Sequence, residues 1–337
     1  MTTKRIAILV YEGCMGMEVF GLCDTLLVAN RVAAALGAAA APLFEVSLIS
    51  LSGGPVKAAG GLTIGTRRPA RQRPDLLVIP GMELSDRASC LQPLTRLSPE
   101  VAYIARSFAK GTPVAAVCVG AFLLGEAGLL DGRRATTSWL FAADLARRFP
   151  LALVEGAALL VEDGGVATTG SFSATFDLAM HLIGQTASAK VRRAVARMTL
   201  LDERRTSQAP YIDTRMLAPP PGPAGSSAAF GASVGAWLEQ RLTQPYELTV
   251  LAAAFHVSAR TLLRRFKEET GLSPLAHLQQ ARIGKAKVLL ESSGASVARV
   301  TEQVGYGDVA TFGTLFKRLV GHSPAEYRRR FKAAARQ

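Results

Sequence analysis

Short apolar runs alternate with amphipathic stretches throughout the first half of this 337-residue chain, and this alternation restricts its possible folds severely. The runs are of strand length and apolar at nearly every position, as strands are when both faces of a sheet are covered. Strands separated by helices favour a parallel sheet. The predicted strands are 5–11, 44–50, 76–81, 114–119 and 165–169, and the predicted helices are 18–31, 97–110, 138–148 and 172–184. We therefore expect a flavodoxin-like, doubly wound α/β sheet, whose ligands bind at the carboxyl ends of the strands.

The pattern changes after residue 206. Residues 187–206 predict one further amphipathic helix, and the stretch that follows is rich in Pro, Gly, Ser and Ala, a composition that cannot build a core. The strand pattern then disappears and the rest of the chain predicts helices and turns. The sequence thus predicts an α/β domain over 1–206, a linker over 207–228 and an all-α domain over 229–335.

Two helix-turn-helix patterns fill the second domain. Each has a short helix, a tight turn and a second helix with polar residues at its start, and both second helices are followed by Gly-x-Ser-Pro. The short helices are predicted over 248–255 and 297–304, the second helices over 259–269 and 309–319, and the helix that joins the two patterns over 275–291. Their spacing of about 50 residues suits second helices in successive major grooves, about 34 Å apart.

The charge distribution points to a polyanionic partner for this second domain. The formal net charge is +13, and residues 223–337 alone carry 16 basic against 8 acidic residues. Arg260 and Arg264 are the candidates for base contact, because arginine bonds guanine through two hydrogen bonds. The other candidate DNA-contacting residues are Ser258, Thr261, Arg265, Lys267, Asp308, Ala310, Thr311, Thr314, Lys317 and Arg318.

Residues 305–331 resemble the C-terminal signature of the AraC/XylS transcription-factor family, and the resemblance extends over 230–332. The matching residues are Gly305, Tyr306, Asp308, Phe312, Phe316, Lys317, Gly321, Ser323, Pro324, Tyr327 and Arg328. The resemblance implies a regulator that binds double-stranded DNA, activates transcription with RNA polymerase and acts as a homodimer. Gly313 and Thr314 stand where many members carry a polar residue and an arginine, which bears on the base preference of the second pattern.

Cys118 is the candidate reactive residue of the first domain. In "VAAVCVGAF" it ends a strand and precedes a glycine turn and a helix, a layout that exposes a nucleophile and favours a thiolate. An enzyme would also need a base. The first half has one histidine, His181, which is predicted to pack within a helix, whereas Glu18 follows the first strand. A neutral Glu18 that shares a hydrogen bond with the thiol suits a sensing or redox cysteine.

Residues 5–30, 76–82 and 117–139 resemble the PfpI/ThiJ superfamily, which is class I glutamine amidotransferase-like. Enzymatic members often carry a histidine just before the tryptophan, where this chain has Ser138, so we expect no enzymatic activity. The order of the two domains is similar to that of GlxA-type regulators, which implies a non-catalytic pocket for a small amino-acid-like or nitrogenous metabolite. The implied lining residues are Glu18, Gly81, Met82, Cys118, Val119, Ser138 and Trp139.

Two other functions stay open at this stage: a cysteine-dependent enzyme of the PfpI/ThiJ type, and a thiol redox sensor fused to a DNA-binding domain. No cofactor and no metal are expected, because the cysteines lack metal-ligand spacing; they are Cys14, Cys23, Cys90 and Cys118. Without a secretory signal or an apolar run of about 20 residues, we expect a cytoplasmic, nucleoid-associated protein with no membrane partner.

Overall fold

The chain is described by a computed structural model over residues 2–84, 92–203, 205–213, 216 and 229–332. It divides into two compact units, Met1–Gln208 and Ala209–Gln337. Within the described residues, no helix has the length and apolar character that a membrane crossing requires. Cys90, most of the predicted linker and the end of the predicted second domain lie outside the described residues.

A six-stranded sheet forms the centre of the first unit. Its spatial order is β2-β1-β5-β6-β10-β9, and all neighbouring strands are parallel except the edge pair β10 and β9. The strands are β1 (Lys4–Leu9), β2 (Phe44–Ile49), β5 (Leu76–Ile79), β6 (Val114–Ala116), β9 (Leu160–Asp163) and β10 (Val166–Thr169). Every residue of β5, β6 and β10 is buried, and because side chains alternate between faces, both faces of the sheet are covered. The predicted doubly wound α/β fold is confirmed.

The helices of this unit fall into two groups. The first group consists of α1, α6 and α7, which contact one another, and in the second group α3 contacts α4. The helices are α1 (Gly16–Ala35), α2 (Gln92–Arg96), α3 (Ser98–Ala109), α4 (Ala121–Glu126), α5 (Ala142–Arg148), α6 (Ala174–Thr186) and α7 (Ala189–Thr199). Four further short strands pair outside the main sheet: β3 (Gly54–Lys57) with β4 (Thr63–Thr66), and β7 (Arg134–Ala135) with β8 (Leu153–Val154). These strands and β9 were not predicted from the sequence, because they are short and lack continuous apolar runs.

The second unit is helical over its described residues. Its helices are α8 (Ala229–Gln240), α9 (Leu248–Ala254), α10 (Ala259–Thr270), α11 (Pro274–Ser292), α12 (Val297–Gln303), α13 (Val309–Val320) and α14 (Pro324–Phe331). Two separate apolar cores form, one around Phe266 and one around Phe316, so each helix-turn-helix pattern has its own core. The predicted double helix-turn-helix fold is confirmed. Side-chain caps define the helix starts, among them Ser258 before α10 and Asp308 before α13.

The first residues of the predicted linker are packed. Ser207 pairs with Ala158, Gln208 is buried, and Ala209–Tyr211 forms a single 3₁₀ turn against the second unit's own helices. The composition of this stretch gave no sign of that packing, because the packing depends on hydrogen bonds to residues far away in the sequence.

Candidate functional site

The turn that carries Cys118 has an unusual backbone. One residue separates Cys118 from the end of β6. Cys118 has φ +53° and begins a 3₁₀ turn, Cys118–Gly120, that leads into α4. A positive φ is uncommon for a residue with a Cβ and persists only where the surroundings impose it. Here the Cys118 N–H donates to the carbonyl of Gly170 (3.1 Å), and the Thr137 hydroxyl donates to the carbonyl of Cys118 (2.7 Å). A Cβ on Gly120 would lie 2.7 Å from the carbonyl oxygens of Ile79 and Pro80, so the turn also requires glycine there.

The thiol of Cys118 is held in its neutral form. Burial, followed by the nearby Glu18 carboxyl, raises the pKa of Cys118 from 9.0 to about 12, although the N–H groups of Phe172 and Val119 and the Ser138 side chain oppose this shift. The expectation that the helix start favours a thiolate is therefore not supported. The helix after the turn has only six residues, and its dipole is outweighed by desolvation and by a neighbouring acid.

Glu18 lies beside Cys118 at the start of α1. Its side chain is 2% exposed, and Oε2 accepts a hydrogen bond from the Gly81 N–H at 2.5 Å. Burial raises the pKa of Glu18 from 4.5 to about 7, against the lowering effects of Gly81 and the Cys118 thiol. The Cys118 thiol lies close enough to stabilise the Glu18 carboxylate. Within the described part of the chain, however, Oε1 of Glu18 makes no hydrogen bond of good geometry. Glu18 thus presents one buried, unpaired oxygen beside the cysteine.

The Ser138 side chain also lies beside the Cys118 thiol. Its Oγ is 2.8 Å from the Oγ of Ser171, and it contributes to the hydrogen bonding of the Cys118 sulfur. The neighbouring Trp139 is partly exposed, and its backbone N–H donates to Oε1 of Gln208 at 3.2 Å. Ser138 therefore contributes a hydroxyl to the cysteine's surroundings.

Gln208, which was not predicted from the sequence as a site residue, holds Ser171 and the backbone around Ser138 by hydrogen bonds. Its Oε1 accepts hydrogen bonds from the N–H (2.8 Å) and Oγ (3.2 Å) of Ser171, and its Nε2 donates to the carbonyls of Thr137 (2.9 Å) and Ala158 (2.9 Å). The side chain is 3% exposed. Gly170 makes room for it, since a Cβ there would lie 2.4 Å from the Gln208 amide carbon. A glutamine in a Ser- and Pro-rich stretch carries no sequence signal of such a role.

The remaining predicted residues of this site are Met82 and Val119, and the N–H of Val119 lies against the Cys118 thiol. Met82 and Val119 are buried, and Met82 forms an isolated bridge with Cys14. His181 is engaged elsewhere, because its Nε2 lies 3.0 Å from Oε2 of Glu162 on β9. Two open grooves, of about 530 and 540 Å³, lie beside β2 and beside α7, and neither is lined by the residues around Cys118.

The candidate DNA-contacting residues of α10 divide into two sets. Arg260, Arg264 and Lys267 are exposed and share one face of the helix, at positions i, i+4 and i+7. Arg264 also pairs with Glu268 at 2.9 Å across that surface. Arg265 is turned toward α8, where its guanidinium stacks over Phe230 at 4.0 Å. We infer that Arg265 serves packing within the unit, whereas the other three cations face solvent.

The caps of the two second helices use several of the predicted polar residues. Ser258 accepts from the N–H of Thr261 at 3.2 Å, and Asp308 accepts from the N–H of Thr311 at 2.6 Å. These side chains position the start of each helix. The remaining candidates on α13 are all exposed: Ala310, Thr314, Lys317 and Arg318.

Arg282 on α11 fixes the two helix-turn-helix patterns to each other. This arginine is 8% exposed and donates to the carbonyls of Leu242 (2.6 Å) and Gln244 (2.7 Å), which follow α8. Its guanidinium also lies 5.0 Å from the ring of Tyr306, in the turn of the second pattern. Gly305 in that turn has φ +83° and abuts the Leu242 carbonyl, where a Cβ would come within 2.6 Å. The turn of one pattern thus rests directly on the other.

Comparison with known proteins agrees with this architecture. Residues 4–185 match the DJ-1/PfpI family, which is more than half of the chain. The chain belongs to the DJ-1/PfpI family. Residues 251–330 of this DJ-1/PfpI protein match a helix-turn-helix domain. The resemblance predicted from the sequence is confirmed for both parts.

Two curated relatives cover nearly the whole chain, and a third covers part of it. The HTH-type transcriptional regulator GlxA of Rhizobium meliloti (strain 1021) is 28% identical over 97% of this chain and 96% of its own length. The HTH-type transcriptional regulator CdhR of Pseudomonas aeruginosa is 27% identical over 93% of this chain and 89% of its own. The HTH-type transcriptional activator RhaS of Klebsiella pneumoniae (strain 342) is 41% identical over 28% of this chain and 34% of its own. These relatives are named as regulators of transcription.

The pH dependence of stability tests the state of Glu18 in the DJ-1/PfpI unit. Because its folded pKa is about 7 against 4.5 ordinarily, the native state keeps a proton that the unfolded chain loses between these values. We expect the free energy of unfolding to fall by about 3 kcal/mol as the pH rises through this range. Urea titrations monitored by Trp139 fluorescence, in a Trp237→Phe background, should show this slope. Glu18→Gln should abolish it, while Glu45→Gln, at an exposed position of β2, should keep it. An equal slope in both variants would contradict the assignment.

The reactivity of Cys118 tests its raised pKa. Since the thiolate fraction falls about tenfold per pKa unit, we expect alkylation near neutral pH to be about 1,000-fold slower than that of free cysteine. Iodoacetamide labelling with free cysteine as an internal competitor, followed by peptide mass spectrometry, measures the ratio. Glu18→Gln should accelerate the labelling, because it removes the negative charge beside the thiol. Labelling at the rate of the competitor would show that the turn supports a thiolate after all.

Proposed function

We propose that this protein is a sequence-specific DNA-binding transcriptional regulator whose DJ-1/PfpI unit binds a small metabolite without transforming it. The observation that supports DNA binding most is the exposed basic face of α10 on a rigidly joined pair of helix-turn-helix patterns. Relatives that share both parts are named as transcriptional regulators. Activation through RNA polymerase, homodimer formation and a cytoplasmic location belong to the same proposal.

The surroundings of Cys118 support binding over catalysis. A nucleophilic mechanism needs a thiolate and a base, yet burial keeps the pKa of Cys118 at about 12, and the position before Trp139 holds a serine. The buried Oε1 of Glu18 has no donor among the described residues, and an unpaired buried carboxyl oxygen is costly. A ligand with an N–H or O–H group would supply that donor and would favour the ionised form of Glu18, which its pKa of about 7 makes accessible near neutral pH. Such a donor fits an amino-acid-like or nitrogenous metabolite. The Gly81 N–H is already used by Glu18, so it is not free for a ligand carboxylate.

Salt dependence is the direct test of DNA binding. Binding through phosphate contacts releases counterions, so we expect the affinity of the full chain for duplex DNA to fall at least about 1,000-fold between 50 and 200 mM salt. Fluorescence anisotropy with a labelled duplex measures this fall. An affinity that hardly changes with salt would contradict the proposal.

Ligand binding is tested by the thermal stability of the full chain against amino acids, betaines, polyamines and small carboxylates. A ligand at about 100 times its Kd should stabilise the first unit by about 2.7 kcal/mol. A compound that stabilises wild type but not Glu18→Gln, and is recovered unchanged, supports the sensor. A compound that is consumed, with turnover lost in Cys118→Ala, would replace the sensor by an enzyme.

A further inference from the structure

We propose that the two recognition helices read different bases: α10 reads guanine through Arg260 and Arg264, whereas α13 reads thymine methyl groups through Ala310 and Thr314 and supplies most of the phosphate contacts. This inference rests on the proposed DNA-binding function and adds the division of labour between the two patterns.

The two helices are equivalent position by position. Each has 12 residues, begins after a side-chain cap and ends at a glycine with positive φ, Gly271 or Gly321. A shift of 50 residues therefore relates one helix to the other. It relates Arg260 to Ala310, Arg264 to Thr314, Lys267 to Lys317 and Glu268 to Arg318.

The equivalent positions are all exposed. The first two lie four residues apart in the first half of each helix, the part that contacts base edges when such a helix occupies the major groove. The last two lie near the end of each helix, beyond the part that contacts base edges. The chemistry at these positions therefore decides what each helix recognises.

The first half of α10 carries two guanidinium groups, and the first half of α13 carries none. Arg260 and Arg264 can each donate two hydrogen bonds to the O6 and N7 acceptors of a guanine. Ala310 and the methyl group of Thr314 can make apolar contact with the thymine methyl group. The end of α10 is close to neutral, because Glu268 and Glu269 follow Lys267. The end of α13 places Lys317 beside Arg318, both exposed and with no acid in the rest of the helix, although Glu326 at the start of α14 lies close enough to interact with Lys317. Base discrimination is thus concentrated on α10 and phosphate attraction on α13.

Because the contact between the two patterns is rigid, both base preferences occur within one binding site. Arg282 bonds the loop after α8 and stacks on Tyr306, so the two helices keep a fixed separation. A site of fixed polarity follows, in which a guanine-containing segment and a thymine-containing segment lie about 10 base pairs apart.

Selection of duplexes from a random library by the full chain tests the proposal. We expect two enriched segments, one with guanine and one with thymine. Arg260→Ala and Arg264→Ala should each reduce the preference for guanine at least about fivefold and leave the thymine segment unchanged. Replacing thymine by uracil in the second segment removes only the methyl group and should weaken binding about fivefold, whereas the same replacement outside both segments should not.

Variants at the end of α13 test the proposed phosphate contacts. Lys317→Ala and Arg318→Ala should weaken all sequences alike and each reduce the slope of log affinity against log salt by about 1, while Lys267→Ala next to Glu268 should reduce it less. Guanine preference in both segments, or a guanine preference that survives both arginine variants, would overturn the division of labour while leaving DNA binding intact. A library from which no sequence is enriched would overturn the proposed function itself.

Discussion

Gln208→Ala is expected to lower the free energy of unfolding of the DJ-1/PfpI unit by about 4 kcal/mol. The substitution removes a buried amide that accepts from Ser171 and Trp139 and donates to Thr137 and Ala158. Each buried group that loses its partner costs about 1–3 kcal/mol, and the vacated space beside Gly170 adds a cavity. Calorimetry of the full chain should show the transition of the first unit at a lower temperature.

The position of Gln208 also predicts a functional effect. Ser171 contacts Ser138, which in turn contributes to the hydrogen bonding of the Cys118 sulfur, so the Gln208 amide supports the proposed binding site. We expect Gln208→Ala to weaken any ligand that stabilises the wild type. Gln185→Ala, an exposed glutamine on α6, is the matched control and should change neither stability nor binding. An unchanged unfolding transition in Gln208→Ala would show that water or local rearrangement replaces the amide.

Arg282→Ala is expected to reduce DNA affinity about 100-fold and to destabilise the second unit by about 4 kcal/mol. Two charge-assisted hydrogen bonds to partly buried carbonyls are lost, at about 1.5–3 kcal/mol each. The affinity falls because two recognition helices on one rigid body bind as a linked pair, and this advantage depends on their fixed separation. Arg282→Lys should restore affinity only in part, since one ammonium group does not reproduce the planar fork that reaches Leu242, Gln244 and Tyr306.

A matched variant separates this effect from a general loss of positive charge. Arg299→Ala removes an equal charge from an exposed position of α12, where Arg299 forms a surface ion pair with Glu302. We expect its affinity to stay within about threefold of wild type, because exposed pairs contribute about 1 kcal/mol at most. Anisotropy titrations below the unfolding transition of each variant keep folding and binding apart. Equal losses in Arg282→Ala and Arg299→Ala would show that charge, and not the rigid junction, sets the affinity.

The amino-acid sequence by itself determined the architecture of both units. Continuous apolar strands require a sheet covered on both faces, and the cap, periodicity and glycine signals around Ser258 and Asp308 are local, so they predict helix bounds without knowledge of the fold. Cys118 and Glu18 were identified as neighbours on the same reasoning, because the carboxyl ends of parallel strands meet at one edge of the sheet. Such features follow from interactions within a few residues or from the geometry common to all sheets of this kind.

Only the tertiary structure decided the chemistry of the site and the rigidity of the DNA-binding unit. The neutral thiol of Cys118 results from desolvation and from Glu18, about 100 residues away in the chain, which together outweigh the local helix dipole. The roles of Gln208, Arg265 and Arg282 are likewise set by distant partners: the Ser171 amide, the Phe230 ring and the Leu242 carbonyl. Burial and long-range hydrogen bonding have no period along the sequence, so a polar residue in a linker or on a basic helix gives no local sign of what it will contact.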